Sequence, residues 1–443
     1  MCGVLGRAGH PLPSGAVTAT PADTPADQAS GARDARDGTA GATETRFPVV
    51  AVVGAGQLAR MTVPPAVGLG ARLRVLATDP GESAAQVVPD VQLGSPDDLA
   101  ALRRLAEGAA ALTLDHEQVP TEHLRALEAE GVAVRPGPEA LEHAQDKLLL
   151  RRRLDAMGVA GPAWAEVRSA EELRAFGERA GWPLVLKTPR GGYDGKGVLV
   201  VGSLDEAAAW LDRAAGEPLL AEEAVRFTRE VAVMVARSPS GQAAAWPVVE
   251  TVQVGGVCRE VIAPAPDLDD DLAAEATSLA LRLAGELGVT GVMAVEGFEV
   301  PAVDGEAAPG SSRFLVNELA MRPHNSGHWT MDGAVTGQFE QHLRAVLDYP
   351  LGATGAHAPA CVMANVLGGD PVPTTGIDER CHHTFARFPD ARVHLYGKSE
   401  RPGRKIGHVN VTGSDPDEVR RRARLAADYL STGVWSDGWD PHR

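Results

Sequence analysis

A glycine-rich loop, Lys187-Thr-Pro-Arg-Gly-Gly-Tyr-Asp-Gly-Lys-Gly197, connects two short apolar segments of this 443-residue chain. Pro183–Lys187 and Val198–Val201 have the composition of strands, so a lysine ends one strand and four glycines follow within seven residues. Such a loop can fold its backbone N–H donors over a polyphosphate while Lys187 contributes a point charge. The alternative is a solvated hairpin tip, although plain hairpins rarely need so many glycines. The loop therefore predicts a nucleotide-phosphate site.

Two glutamates lie inside apolar segments farther along the chain, Val292-Met-Ala-Val-Glu296 and Phe314-Leu-Val-Asn-Glu318. A hairpin loop over Pro301–Ser312 would pair these segments as strands and bring the two carboxylates face to face. A glutamate in a strand core is costly unless it is paired or binds a cation. With Asn317, the two carboxylates predict an oxygen-rich site suited to Mg²⁺ between phosphates, and the alternative is two glutamates on a solvated sheet face.

Two weaker candidates come from strand ends. Gly54-Ala-Gly-Gln-Leu58 follows the buried strand Phe47–Val53, and free N–H groups at a strand-to-helix turn favour an anion. A tight turn without a ligand is equally consistent, and Ala59 removes the third glycine of a dinucleotide fingerprint. Glu222-Glu-Ala-Val225 either is a strand edge whose backbone binds adenine, with Glu230 on the ribose, or is a solvated acidic edge.

Two polar segments follow the predicted metal site. Arg322-Pro-His-Asn-Ser-Gly-His-Trp329 contains two histidines at i and i+4, but Pro323 and Gly327 disfavour a regular helix. We therefore predict substrate hydrogen bonding there rather than metal ligation. Lys398-Ser-Glu-Arg-Pro-Gly-Arg-Lys405 places four cations in eight residues, which is either a solvated loop or a site for a sugar phosphate or carboxylate.

Composition limits the possible partners. The formal net charge of −17 repels nucleic acid and anionic membranes, and no apolar run reaches the roughly 20 residues that span a bilayer. The segment Met1–Thr45 lacks the order of a secretory signal and has few large apolar residues, which predicts a disordered extension. Cys2, Cys258, Cys361 and Cys381 are far apart, which argues against a disulfide framework or a zinc site and favours a cytoplasmic protein.

Alternating strands and helices predict an open βαβ sheet over residues 46–145. Helix-forming residues over Pro138–Met157 lead into a second domain, 146–350, whose lid subdomain covers about 163–225. The tail from Cys361, within a third domain at 351–443, has the pattern of short strands and turns.

Four motifs together resemble the 5-(carboxyamino)imidazole ribonucleotide synthase family of the ATP-grasp superfamily. They are Gly54-Ala-Gly-Gln-Leu-Ala-Arg-Met61, Gly191-Gly-Tyr-Asp-Gly-Lys-Gly197, Asn317-Glu-Leu-Ala-Met-Arg-Pro-His-Asn-Ser-Gly-His-Trp-Thr330 and Arg401-Pro-Gly-Arg-Lys-Ile-Gly-His408. The resemblance implies an α/β (α+β) ATP-grasp fold with an N-terminal Rossmann-like pre-ATP-grasp domain and a small C-terminal β-rich domain. It also implies a cytoplasmic homodimer that uses ATP and Mg²⁺.

The reaction that the resemblance implies joins bicarbonate to the amine of 5-aminoimidazole ribonucleotide through carboxyphosphate, in purine (IMP) biosynthesis. Two alternatives stay open: a sister ATP-grasp ligase such as the formate-dependent glycinamide ribonucleotide transformylase, and a catalytically silent nucleotide-binding subunit. Two departures from the family pattern are visible. Asp115 stands where the Thr113–Glu117 segment normally has a first glutamate, and the extension Met1–Thr45 has no counterpart in the pattern.

The resemblance also implies roles for individual residues. The expected metal ligands are Glu296 and Glu318. The expected catalytic residues are Arg322, Lys398, Arg404, Lys405 and Asp194. The expected ATP-binding residues are Lys147, Lys187, Gly192, Tyr193, Gly195, Glu222, Glu223, Val225, Glu230 and Asn317. The expected substrate-binding residues are Gly56, Gln57, Leu58, Glu117, Tyr193, His324, Asn325, Ser326 and His328.

Overall fold

The structure, a computed structural model, describes residues 47–192, 197–302 and 311–440. The predicted extension Met1–Thr45 lies outside the described residues, as do Tyr193, Asp194 and Gly195 of the glycine-rich loop. Most of the predicted hairpin loop Pro301–Ser312 also lies outside them.

The first part of the described chain is an open parallel sheet flanked by helices. Its elements are β1 Val49–Val53, α1 Gln57–Gly68, β2 Arg72–Ala77, β3 Asp90–Leu93, α2 Leu99–Ala106, β4 Ala111–Leu114, α3 Thr121–Ala129 and α4 Pro138–Gln145. The strands lie in the order β3-β2-β1-β4, and every neighbouring pair is parallel. The three strands that the sequence predicts are present because their apolar runs are buried between helices. The short polar strand β3 carries no such pattern and was missed.

A small antiparallel sheet follows. Its elements are α5 Lys147–Ala156, β5 Trp164–Val167, α6 Ala170–Ala180, β6 Leu184–Lys187, β7 Val198–Val201, α7 Leu204–Ala214 and β8 Leu219–Glu223. The strand order is β5-β8-β6-β7. The helix-forming region predicted over Pro138–Met157 is two helices, because the Asp146 carboxylate accepts the N–H groups of Leu148 and Leu149 and begins α5.

The large central sheet contains the remaining strands. Its elements up to the last quarter of the chain are β9 Arg229–Arg237, β10 Ala243–Ala245, β11 Val249–Val254, β12 Val257–Ala263, α8 Asp270–Glu286, β13 Gly291–Pro301, β14 Ser312–Ala320, a 3₁₀ turn Asn325–Gly327, α9 Thr330–Gly333 and α10 Gln338–Val346. The C-terminal elements are β15 Ala360–Leu367, α11 Ile377–Arg387, β16 Arg392–Leu395, β17 Lys405–Gly413 and α12 Pro416–Thr432. The nine strands lie in the order β14-β13-β9-β11-β12-β15-β17-β16, with β10 beside β9.

The C-terminal part departs from the expectation of strands and turns alone. Its strands extend the central sheet through the β12–β15 pair, and two helices, α11 and α12, accompany them. The buried face of α12 contains Val419, Ala423, Ala426 and Leu430, an apolar spacing typical of an amphipathic helix. Among the described residues, no helix combines the length and the apolar content that crossing a membrane requires.

Candidate active site

Two carboxylates face each other across adjacent strands of the central sheet. Strands β13 and β14 pair antiparallel, with Glu296 directly opposite Glu318. A β-bulge follows at once, because Gly297 pairs with Val316 and leaves Asn317 as the extra residue. No group of three or more His, Cys, Asp or Glu side chains in the described ranges could hold a metal ion. Two carboxylates and an amide fit a cation whose other ligands are phosphate oxygens and water, the usual arrangement for Mg²⁺.

Two lysines lie beside these carboxylates. Lys147 Nζ is 3.5 Å from Glu318 Oε1, and Lys187 Nζ donates to Asn317 Oδ1 at 2.9 Å. The main-chain N–H of Lys147 donates to Pro189 O at 3.0 Å, and Arg190 binds Asp146 at 3.0 Å. The start of α5 is therefore attached to the start of the glycine-rich loop. The structure therefore brings Lys147 to Glu318 and Lys187 to the adjacent residue Asn317.

Glu222 corrects the interpretation of its segment. Strand β8 lies between β5 and β6, so Glu222 is not on a free strand edge of either predicted kind. The residue is 2% exposed, and its carboxylate binds Lys187 Nζ at 2.8 Å and Arg151 Nε. Burial opposes ionisation, but Lys187 and Arg151 outweigh it and lower the Glu222 pKa. Its side chain therefore orients Lys187 and is not open to adenosine.

The predicted ATP-binding residues that follow Glu222 in the sequence lie in different environments. The Glu223 carboxylate accepts the Ala163 N–H at 3.0 Å, and Val225 follows the end of β8. Glu230 lies on β9 opposite Phe298, two residues from the Ala232–Glu296 pair, and so shares a sheet face with Glu296. Burial and the Glu296 charge raise the Glu230 pKa to about 7.

Basic side chains lie around Glu296 on the other side. His324 Nε2 is 3.2 Å from Glu296 Oε1, and His324 Nδ1 is 2.9 Å from Ser326 Oγ. Burial opposes ionisation of Glu296, but His324, followed by Arg322 and Lys405, lowers its pKa. The sequence-predicted residues Arg322, His324 and Lys405, from two distant segments, therefore act on one carboxylate.

The first sheet and the C-terminal loop meet at Gln57. Lys398 Nζ donates to Gln57 Oε1, and the same ammonium lies 5.8 Å from the centre of the Tyr396 ring. Arg404 Nη1 donates to Ser399 Oγ at 2.7 Å within the same loop. Gln57 begins α1 after β1, next to β4, where the strand order reverses and ligands commonly bind in open α/β sheets.

Comparisons with known proteins agree along the chain. Three family models match: the ribonucleotide synthetase preATP-grasp domain at residues 48–145, the ATP-grasp domain at 152–339 and the phosphoribosylaminoimidazole carboxylase C-terminal domain at 361–422. An N5-carboxyaminoimidazole ribonucleotide synthase of Mycobacterium tuberculosis is 58% identical, over 89% of this chain and 91% of the relative. One of Corynebacterium ammoniagenes is 49% identical, over 91% of this chain and 97% of the relative. The chain belongs to the N5-carboxyaminoimidazole ribonucleotide synthase family.

Solved structures of this family have the same fold. The synthetase of Thermus thermophilus superimposes with a TM-score of 0.76 at 35% identity, over 88% of this chain and 100% of the other. The Aspergillus clavatus synthase in complex with ADP and 5-aminoimidazole ribonucleotide gives a TM-score of 0.75 at 31% identity, over 87% of this chain and 99% of the other. The chain is therefore an ATP-grasp ligase of the N5-carboxyaminoimidazole ribonucleotide synthase family, and the resemblance that the motifs suggested is confirmed.

Two of the residues expected to bind substrate are buried behind the site of this synthase family member. His328 is 2% exposed and stacks on His408 with ring centres 4.9 Å apart. The distance between His328 Nδ1 and Gln338 Nε2 is 2.7 Å. Burial lowers the His328 pKa well below its usual value. Ser326 is also buried and supports the His324 ring. Both side chains are therefore buried and bonded within the protein, whereas Asn325 and His324 stay partly exposed.

The expected anion site at Gly54–Leu58 already holds a carboxylate. Asp115 Oδ2 accepts the Gly56 N–H at 2.8 Å, and Asp115 Oδ1 accepts the Ala59 N–H at 2.7 Å. Because β4 pairs parallel with β1, the residue after β4 lies beside the turn after β1, and this pairing is the signal that could have found the contact. These two N–H groups are therefore not available to a phosphate.

Glu117 and Arg151 have roles that differ from expectation or were missed. Glu117 Oε1 accepts the Met321 N–H at 2.8 Å, and Glu117 Oε2 is 3.3 Å from Arg322 Nη2. The carboxylate expected to touch the ribonucleotide thus holds Arg322. Arg151 and Gln338 were not predicted, because nothing in an amphipathic helix marks which polar residue will be buried.

Proposed function

We propose that the chain uses ATP to carboxylate 5-aminoimidazole ribonucleotide with bicarbonate, forming 5-(carboxyamino)imidazole ribonucleotide through carboxyphosphate. The observation that carries this proposal is the pairing of Glu296 with Glu318, flanked by Lys147 and Lys187 on one side and by His324 on the other. Phosphate-binding groups and anion-binding groups therefore lie on opposite sides of one carboxylate pair. This is the arrangement that phosphorylation of a small anion requires.

The need for ATP follows from the chemistry of bicarbonate, whose carbon lacks a good leaving group at neutral pH. A bicarbonate oxygen attacks the γ-phosphorus, the bond to the β-phosphate oxygen breaks, and ADP leaves. The ribonucleotide amine then attacks the carboxyphosphate carbon and loses a proton from its nitrogen, and phosphate leaves with the electron pair of the broken C–O bond. Lys147 and Lys187 hold the nucleotide phosphates during the first step.

Glu296, Glu318 and Asn317 are the residues that would hold Mg²⁺, which supplies positive charge to the phosphate oxygens. Arg322, His324 and Lys405 hold bicarbonate and the carboxylated product near Glu296, because all three act on that carboxylate. Lys398 and Arg404, with Gln57, hold the ribonucleotide phosphate where the two domains meet.

The remaining assignments rest on sequence position. Val225 and Glu230 hold the adenosine, and Gly192, Tyr193, Asp194 and Gly195 are assigned to keeping water from carboxyphosphate. The functional domains are residues 46–145, 146–350 and 351–443. The enzyme works in the cytoplasm, in keeping with the free cysteines Cys258, Cys361 and Cys381. It forms a homodimer, and sedimentation equilibrium measures the mass of that dimer.

The decisive experiment measures phosphate release from ATP in the presence of bicarbonate and Mg²⁺, with and without 5-aminoimidazole ribonucleotide. Release should depend on the ribonucleotide and fall when bicarbonate is removed. Formate with glycinamide ribonucleotide should give no turnover, since the sister ligase would use that pair. Phosphate release that ignores the ribonucleotide would exclude the proposed reaction.

A further inference from the structure

A buried arginine that the sequence did not single out lies behind the nucleotide site. The Arg151 side chain on α5 is 3% exposed, and its guanidinium binds three groups. Nε donates to the Glu222 carboxylate, Nη1 to Val316 O at 3.0 Å, and Nη2 to Asn317 O at 2.9 Å. Burying a guanidinium is costly unless its donors are paired. These contacts join the small sheet to the central sheet.

The chain enters and leaves the small sheet beside this arginine. On the way in, Val316 N donates to Ala160 O at 3.0 Å, and Gly161 lies against the guanidinium. A Cβ at Gly161 would be 3.2 Å from Val316 O and 3.3 Å from Arg151 Nη1, which is tighter than side chains normally tolerate. On the way out, Glu222 binds Arg151 directly. Arg151 therefore lies against the incoming connection at Gly161 and binds the outgoing one through Glu222.

The groups that Arg151 holds are the two partners of Lys187. Lys187 Nζ binds Glu222 Oε2 at 2.8 Å and Asn317 Oδ1 at 2.9 Å. Arg151 binds the carboxylate of the first partner and the main chain of the second. A planar guanidinium holds such groups in fixed relative positions, which a lysine in its place could not do.

We propose that Arg151 is a positioning residue for the ATP site, which directs Lys187 Nζ to the nucleotide phosphates by holding Glu222 and Asn317 in place. The proposal rests on the proposed role of Lys187 as a phosphate-binding residue. Arg151 itself lies behind Lys187 and acts only through these neighbours.

The test compares Arg151→Lys and Arg151→Met with the wild-type enzyme. Titration calorimetry gives the Kd for ADP with Mg²⁺, and steady-state kinetics give separate KM values for ATP and the ribonucleotide. Both variants should weaken ADP binding and raise the KM for ATP roughly tenfold or more, as expected for a charged hydrogen bond. The KM for the ribonucleotide should stay within about twofold, since the contacts of Lys398 and Arg404 are untouched.

Arg74→Met is the matched control. Arg74 binds one carboxylate, Asp90 at 2.9 Å, and two main-chain oxygens, Leu105 O at 3.0 Å and Glu107 O at 2.7 Å, within the first sheet. Its loss should lower the melting temperature and leave both KM values unchanged. Arg151→Met should also bind ADP more weakly as the pH falls, because Glu222 then keeps only Lys187 to oppose its protonation.

The outcomes separate a positioning role from a structural one. An unchanged KM for ATP in folded Arg151→Lys, or an equal loss of affinity for both substrates, would overturn the proposal. Arg151→Lys keeps the buried charge, so it decides the question if Arg151→Met does not fold. Wild-type ADP binding without ribonucleotide-dependent phosphate release would instead contradict the proposed reaction and leave the Arg151 result to stand on nucleotide binding.

Discussion

Glu230, Glu296 and Glu318 lie close together on the central sheet, yet their surroundings give them different tasks. Glu296 lies beside basic groups that lower its pKa, and Glu318 lies beside Lys147, whereas Glu230 has mainly burial and the nearby Glu296 charge. A carboxylate with a cationic neighbour stays ionised and can bind a metal ion, but a desolvated one beside a like charge takes up a proton near neutral pH. These differences lead to two predictions for single residues.

Glu318→Gln should reduce turnover roughly hundredfold or more and leave the melting temperature close to that of the wild type. The amide keeps the shape of the side chain but removes the charge with which Glu318 is proposed to bind Mg²⁺. Steady-state phosphate release and thermal unfolding measure the two effects. The control is Glu340→Gln, which removes a surface pair with Arg344 at 2.6 Å and should do little. Near-normal turnover in Glu318→Gln would refute the metal assignment.

Glu230→Gln should stabilise the ligand-free enzyme more at pH 8 than at pH 5. The folded-state pKa of about 7 lies above the ordinary 4.5, so the neutral form favours folding and that stability is lost as the pH rises through 7. With allowance for partial exposure, the difference should be about 1 kcal/mol. Melting temperatures of both proteins between pH 5 and pH 8 measure it. The same difference at every pH would mean that Glu230 does not titrate in this range.

At the scale of elements, the turn from β1 into α1 shows how a strand end is prepared for a ligand. Asp115, at the end of the neighbouring strand, accepts two N–H groups of the turn and fixes its backbone. Gln57 then reaches Lys398 of the C-terminal loop. The turn therefore works as a rigid support for side chains, whereas the sequence suggested a direct anion site.

Gly56→Ala should raise the KM for the ribonucleotide roughly tenfold or more and leave the KM for ATP unchanged. A Cβ at this position would lie 2.2 Å from Asp115 Oδ2, so either the carboxylate or the turn must move and carry Gln57 with it. The matched control is Gly68→Ala on the same helix, where an added Cβ meets no atom within 4 Å. Steady-state kinetics of both variants decide the matter, and equal behaviour of the two would show that the turn does not position the substrate.

At the scale of the whole molecule, a buried histidine connects the first sheet to the central sheet. His342 on α10 is 2% exposed. Its Nδ1 accepts the Val292 N–H at 3.1 Å, and its Nε2 is 2.8 Å from Thr113 Oγ1. Acceptance at Nδ1 places the proton on Nε2, so the ring must be neutral to make both contacts. Burial lowers the His342 pKa to about 4.

This neutral histidine predicts loss of stability in acid. The unfolded chain binds a proton on His342 below pH 6.5 while the folded chain does not, so the free energy of unfolding falls as the pH drops from 6.5 to 4. His342 should contribute up to about 3 kcal/mol of this fall. His328 and His408, with pKa values also lowered by burial, act in the same direction.

His342→Gln tests this effect, since the amide oxygen can still accept the Val292 N–H but does not titrate. Urea unfolding at pH 4.5, 5.5, 6.5 and 7.5 should show a shallower pH dependence for the variant than for the wild type. Thr113→Val, which removes the hydroxyl but keeps the imidazole, serves as control and should retain the wild-type slope. Identical slopes in His342→Gln and the wild type would assign the acid sensitivity to other groups.

Local sequence signals were sufficient for the strands at Val49–Val53, Leu184–Lys187 and Gly291–Pro301, because a run of apolar residues between turns can be buried in few other ways. The four motifs and the paired carboxylates were equally readable from the chain, since their chemistry lies in residues close in sequence. Only the tertiary structure decided that Glu222 supports Lys187, that His328 is buried, and that Asp115 occupies the turn. Each of these outcomes depends on partners in other helices and strands or on burial by them, and no local pattern carries that information.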